Sequence, residues 1–397
     1  MSRPAPRWHS LHVHHHDADA EPALVLDAVR PAFEAVRPWT RGTWFGRHWL
    51  RGPHLRLNFR APGPVWEARI RPVVTERIEA YLRVRPSRVR LDEAALAPVH
   101  ARLAELEMET GARHPWVPDN TVLERPYDHR LPVLGSPRAS ELLAGFLSDT
   151  DDLAFRMYEH RAAGGSTAAL ALDLMWTTAA VAAVPFETGA PPIVRGYLSL
   201  RSHADAFLSR TRDPAAHRAA FDARYHRQAD ALGARLRAVQ EAVDGRREDV
   251  PFVADWAAAI RRRQRIAYPQ LASGAVSMRG AGLAPRPPAR QVSGFHRLLQ
   301  SGHGQEDFLW TDPWFASFRL VVNYLYVHLN RLGLGPADRA LLCHLAASTV
   351  EGVHGVTATE VFRRHVLPRS RDQVPEWRRL AAEWGRAAGS APAERQG

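Results

Sequence analysis

Between Trp44 and Arg60 the chain reads WFGRHWLRGPHLRLNFR, a stretch that admits little other than a two-stranded hairpin. Arg51-Gly52-Pro53 is a turn signal, and the residues after it alternate strictly. Leu55, Leu57 and Phe59 fall on one side, and His54, Arg56, Asn58 and Arg60 on the other. Successive strand side chains point to opposite faces, so a half-buried strand here projects a row of cationic and hydrogen-bonding groups from its second face. Such a row is either a binding site or a solvated strand face. The hairpin alone does not decide which.

The flanking segments place the hairpin in an α+β layer, a mainly antiparallel sheet covered by helices. Trp8 to His16 alternates as a first strand, with Leu11, Val13 and His15 against His12, His14 and His16. From Ala23 to Arg37, and again from Val65 to Tyr81, apolar residues recur at helical spacing. Glu93 to Glu109 reads as a helix, Asp119 to Pro137 as a charged loop between proline and glycine breaks, and Ser140 to Gly164 as one helix. A large helical C-terminal part follows: Ala168 to Val184, apolar nearly all round and so central; Pro214 to Gly245 as a single long helix; Val250 to Tyr268; and two helices within Asp312 to His365. Residues 274–288 read as a mobile loop and residues 390–397 as a disordered tail. The whole chain, 1–397, is expected to form one domain, organised over about residues 8–365.

Composition narrows the functional classes. No apolar run is long enough to span a bilayer and no signal pattern opens the chain, so a cytoplasmic protein without a membrane partner is expected. One cysteine, Cys343, excludes an internal disulfide framework and a cysteine-based zinc cage. The net charge is +11, and all 53 basic residues are arginine. Arginine forks bind carboxylates and phosphates, so an acidic partner is expected; their scatter along the chain argues against nucleic acid.

Three clusters can carry chemistry. The histidines of WHSLHVHHH suggest a metal by number, but no acidic or cysteine ligand set accompanies them. In the charged loop stand Glu124 and Tyr127. Late in the chain Tyr324, His328 and Arg331 are spaced four and then three apart, so one helical face carries a phenol, an imidazole and a guanidinium. The same spacing also suits core packing. There is no phosphate loop, dinucleotide fingerprint or HExxH.

Taken together, WHSLHVHHHD, RHWLRGPHLRLNF and YLYVHLNRLGL, in this order and separation, resemble the thiopeptide-type bacteriocin biosynthesis domain, a relative of the C-terminal elimination domain of lantibiotic dehydratases. The resemblance implies an enzyme of ribosomal peptide maturation with no cofactor and no metal. Its partners would be a precursor peptide with an acidic leader and a dehydratase. Elimination domains carry HLRxR at the hairpin, where this chain has Asn58, and a glutamate and arginine in the middle loop, where it has Arg130 and Val133. These departures make it most like the stand-alone thiopeptide pyridine synthases, which join two dehydroalanines by a formal aza-Diels-Alder cycloaddition and release the leader. Glutamate elimination and a silent leader-binding subunit are the alternatives. The resemblance implies that the family histidine is kept as His328; the proton transfer and amide polarisation that such a cycloaddition needs then single out His328, Tyr324 and Arg56 as candidate catalytic residues, with His54, Asn58, Arg331, Glu124 and Tyr127 as candidate substrate-binding ones.

Overall fold

A computed structural model of the chain describes residues 5–183, 191–278, 293–300 and 312–366. The expected tail at 390–397 and the expected mobile loop from residue 279 onward lie outside the described residues. The fold is α+β, as expected, and divides into two compact units. Among the described residues, the first holds those up to Gly165 together with Asn330–Gly333, and the second holds the others.

In the first unit, strands β1 (Arg7–His14), β2 (Thr43–His48), β3 (His54–Ala61) and β4 (Thr121–Arg125) form an antiparallel sheet in the order β2-β3-β1-β4. With helices between β1 and β2 and between β3 and β4, this is the split β-α-β arrangement in which no strand pairs with the one a helix connects to it. Register follows the alternation read from the sequence: Leu11 opposes Leu57, Val13 opposes Leu55, and Phe45 opposes Leu57. These side chains are almost fully buried. They are covered by the helical stripes of Leu24, Val29 and Phe33 and of Trp66, Ile70 and Val74, and Phe33 meets Phe59 edge-on at 5.0 Å. At the hairpin turn Gly52 has φ +99°, a conformation that costs glycine nothing and any other residue a Cβ clash.

Two segments depart from the sequence reading. Asp119 to Pro137 is not loop throughout, because Thr121–Arg125 pairs with β1 as the sheet's fourth strand. Ser140 to Gly164 is two helices, Pro137–Asp149 and Asp151–Ala162, broken where the Thr150 hydroxyl bonds back to the Phe146 carbonyl at 2.9 Å.

The second unit is helical among its described residues. Thr167–Ala182 is its buried centre, as its apolar sequence requires, and the helices Pro192–Leu208, Ala229–Val243, Val253–Ala272 and Pro336–His354 pack on it. Gly196 allows the closest crossing, since a Cβ there would stand 1.9 Å from the Ala179 carbonyl oxygen. The expected single helix from Pro214 to Gly245 is instead Pro214–His226 and Ala229–Val243, parted at Arg227 and Gln228. No helix among the described residues is long and apolar enough to cross a membrane.

Candidate functional site

The polar row of the hairpin meets a matching row from its neighbours on the second face of the sheet. His14 and His48 both oppose His54, and His12 and Gly46 both oppose Arg56. The His54 ring therefore lies within 4.7 Å of His12, 4.6 Å of His14 and 5.4 Å of His48, centroid to centroid. These rings stack or tilt over one another, an arrangement of packed planes and not of lone pairs converging on a common centre. His54 donates Nδ1–H to the Gly52 carbonyl at 2.9 Å, which leaves Nε2 to accept from Arg56 Nε at 3.4 Å. Arg56 also donates Nη1 to Asp128 Oδ2 at 2.9 Å. Asp128 is held in turn by the backbone N–H of Arg130, at 2.8 Å.

Burial, with the Arg56 charge and the neighbouring imidazoles, pulls His54 down to about 3, and His12 to about 2. His14 falls to about 4 and His48 well below its ordinary value, again chiefly by burial. Burial works to raise Asp128, but the Arg130 N–H and Arg56 together hold it below the usual carboxylate range. At neutral pH the face thus carries neutral imidazoles, each a hydrogen-bond donor at one ring nitrogen and an acceptor at the other, beside a fixed guanidinium and carboxylate. A histidine whose folded pKa is depressed contributes all of its stability above its unfolded value near 6.5 and loses it as pH falls. Acidification from pH 7.5 to 5 should therefore cost on the order of 2 kcal/mol for each of His12 and His54, read as the difference between wild type and a His12→Gln variant in the pH-induced shift of the urea midpoint, a comparison in which other titrating groups cancel.

Where β1 begins and β4 ends, a cavity of about 610 Å³ opens, lined by Trp8, Glu124, Arg125, Tyr127, His129 and Glu141 among others. Trp8 stacks on Tyr127 at 5.4 Å, Trp44 stands edge-on to both, and Trp8 Nε1 donates to Glu141 at 3.1 Å. Burial and the Glu141 charge raise the Tyr127 phenol, so it stays protonated. Glu124 opposes Leu11 and belongs to the helix-covered face, where it accepts from Trp66 Nε1 at 2.8 Å. Glu124 and Tyr127 therefore share this cavity, whereas Glu124 is on the opposite sheet face from His54 and Arg56.

The remaining expected residues fall elsewhere. Asn58 is on the polar face but 2% exposed, and its amide is spent on the carbonyls of Trp44 and Arg56. Arg331 belongs to the first unit, where its guanidinium is buried on Asp151, Thr150 and the Leu147 carbonyl and lies 4.7 Å from the Phe45 ring centroid. Tyr324 and His328 belong to the second unit, on the helix Pro313–Arg331. Burial, against the pull of Arg263, raises the Tyr324 phenol. His328 has no exposed surface, and its ring lies 4.7 Å from that of Trp256.

The structure adds Asp128, His48, Trp8, Trp44 and Glu141 to the residues singled out in advance, and it places His12 and His14, read from the sequence as a histidine cluster, beside His54.

The family model for the lantibiotic biosynthesis dehydratase C-terminal region matches residues 8–350. The chain belongs to this family. Among solved structures it is similar to "Pyridine synthase, TbtD, from thiomuracin biosynthesis", with 33% identity and a TM-score of 0.70 over 88% of this chain and 100% of that one. TsrL shares the fold, at 24% identity and a TM-score of 0.67 over 93% of this chain and 100% of its own. The tRNA dependent lantibiotic dehydratase MibB from Microbispora sp. 107891 matches 89% of this chain with 29% of MibB, at 16% identity and a TM-score of 0.43. None of the curated proteins matches. Family membership is what the GPHLRL and HLNRLG elements implied, and it spans both compact units.

Proposed function

We propose that this family member is a thiopeptide maturation enzyme, a pyridine synthase acting as one domain over its whole length. It would join two dehydroalanines of a ribosomal precursor peptide by formal aza-Diels-Alder cycloaddition. The observation that carries the reading is the 33% identity to TbtD over 88% of this chain and the whole of TbtD, a protein described as a pyridine synthase of thiomuracin biosynthesis.

The reaction asks for little that a polar protein face lacks. One proton moves from the nitrogen of the amide before one dehydroalanine to its oxygen, giving an iminol. The resulting azadiene closes on the second alkene, and water and then the leader, as its carboxamide, leave to aromatise the ring. Arg56 would polarise the amide oxygen, with Asp128 and His54 fixing its fork. His54, with both ring nitrogens engaged, would hold Arg56 in place and would not itself carry the proton. Tyr127 and Glu124 would bind substrate at the cavity mouth, while His328 and Tyr324 remain the proposed proton carriers of the second unit. Holding both alkenes at reacting distance supplies much of the acceleration, and no cofactor is called for.

The test is mass spectrometry of a dehydrated, azole-containing precursor after incubation with the protein. A macrocycle plus a leader ending in a carboxamide is expected. Loss of glutamate alone from a glutamylated precursor would replace this reading with elimination. An unchanged peptide that still binds would replace it with a leader-binding subunit serving a dehydratase.

A further inference from the structure

The helix Pro214–His226 in the second unit has no fully buried residue. Its half-buried positions include Arg218, Phe221, Asp222 and Tyr225, the spacing of one helical stripe, where a packed helix would carry apolar side chains. Two of these four are charged. Arg218 and Asp222 instead line a cavity of about 770 Å³, together with residues of Pro192–Leu208 and Pro336–His354. Cavities of this size hold small organic ligands or a few peptide residues.

The inner wall of this cavity is already satisfied. Arg201, its side chain 9% exposed, donates Nε to Glu351 at 3.1 Å, Nη1 to His344 Nδ1 at 3.2 Å and Nη2 to Ser348 Oγ at 3.0 Å. His344 passes the chain on, its Nε2 donating to Asp222 Oδ1 at 2.9 Å. Burial and Arg201 lower His344 to about 4, so the imidazole is neutral at pH 7 and Arg201 is balanced by Glu351. With Arg201 occupying Nδ1, His344 cannot be oriented as the base of a serine nucleophile.

The outer wall is different. Asp222 gives one oxygen to His344 and remains 47% exposed, while Arg218 gives Nη2 to buried Asp205 at 2.7 Å and remains 39% exposed. Four residues apart on one helix, they stand side by side. The stripe therefore offers a guanidinium donor next to a carboxylate acceptor. A ligand anion would be repelled by Asp222 and a ligand cation by Arg218. An amide suits both, its carbonyl accepting from Arg218 and its N–H donating to Asp222. We infer that this cavity holds a segment of polypeptide through its amide groups, with Leu208 and Phe295 on the wall for apolar side chains. The inference rests on the peptide-processing reading above and deepens it by naming where a part of that peptide is held.

Two variants of the full chain test it. Asp222→Ala removes the acceptor, and Ala215→Trp narrows the cavity from an exposed position one turn before Arg218 while leaving every polar side chain of the wall in place. Binding of a fluorescein-labelled full-length precursor peptide is read by fluorescence anisotropy, alongside the thermal midpoint. Each variant should weaken binding by about tenfold or more. Should Asp222→Ala lower the midpoint, Ala215→Trp carries the test. If wild type binds and converts the peptide and Ala215→Trp binds it within twofold of wild type, the inference is overturned and the proposed function stands. If wild type binds no precursor peptide, the functional reading fails and takes the inference with it.

Discussion

Replacing Arg56 with glutamine is expected to slow conversion of the dehydrated peptide by about a hundredfold or more while peptide binding changes by less than tenfold. The guanidinium is 13% exposed and anchored at two points, Nε on His54 and Nη1 on Asp128. A donor fixed in this way needs no reorganisation when negative charge gathers on the amide oxygen, so its effect falls on the reacting state more than on the bound peptide. Glutamine keeps a polar side chain but has neither the charge nor the fork. The fold should tolerate the change, because Asp128 is 40% exposed and water can replace its partner. Single-turnover mass spectrometry and a thermal melt, run on the same preparation, separate the two effects. An unchanged rate with intact folding would remove Arg56 from the reaction.

The sheet was legible because its strands obey a two-residue period that only one register can bury, and Leu55, Leu57 and Phe59 make that period unmistakable. Strand β4 was hidden for the converse reason: five residues with proline close behind read as loop, and what makes Thr121–Arg125 a strand is β1, more than a hundred residues away. The site divides along the same line. Arg56 and His54 declared themselves by sharing a strand face. The groups that fix and balance them, Asp128 among them, come from distant turns that no local pattern connects to the hairpin. The burial that keeps the histidines neutral was equally invisible, since spacing shows which rings share a face but not what covers them. Arg331 shows the limit most plainly. Its spacing from Tyr324 and His328 correctly places it on a helix, yet its partner Asp151 lies 180 residues earlier in the chain.

That ion pair supports the second large effect. Arg331→Met should cost roughly 3–5 kcal/mol of stability above pH 8, because it strands the Asp151 carboxylate without its cation in the buried underside of the sheet. Asp151 would keep only the Thr43 hydroxyl at 3.2 Å and the Phe45 backbone N–H. The deficit should depend on pH, and the sign can be worked out. Burial raises the Asp151 carboxyl to about 7 against the pull of Arg331, so wild type itself gives up stability as pH climbs from near 4 to near 7. Without Arg331 the carboxyl rises further, and the variant goes on losing stability at pH values where wild type has levelled off. At pH 5 both proteins hold Asp151 protonated, and the difference shrinks to lost hydrogen bonds and packing. The histidine cluster titrates alike in both proteins and cancels in the comparison. Urea unfolding at pH 5 and pH 8.5 measures the two deficits, and equal values would mean that Asp151 is not what Arg331 compensates. A double variant, Arg331→Met with Asp151→Leu, should recover part of the loss at pH 8.5, because it leaves no buried charge without its counterion and only the Thr43 hydroxyl and Phe45 N–H lose an acceptor.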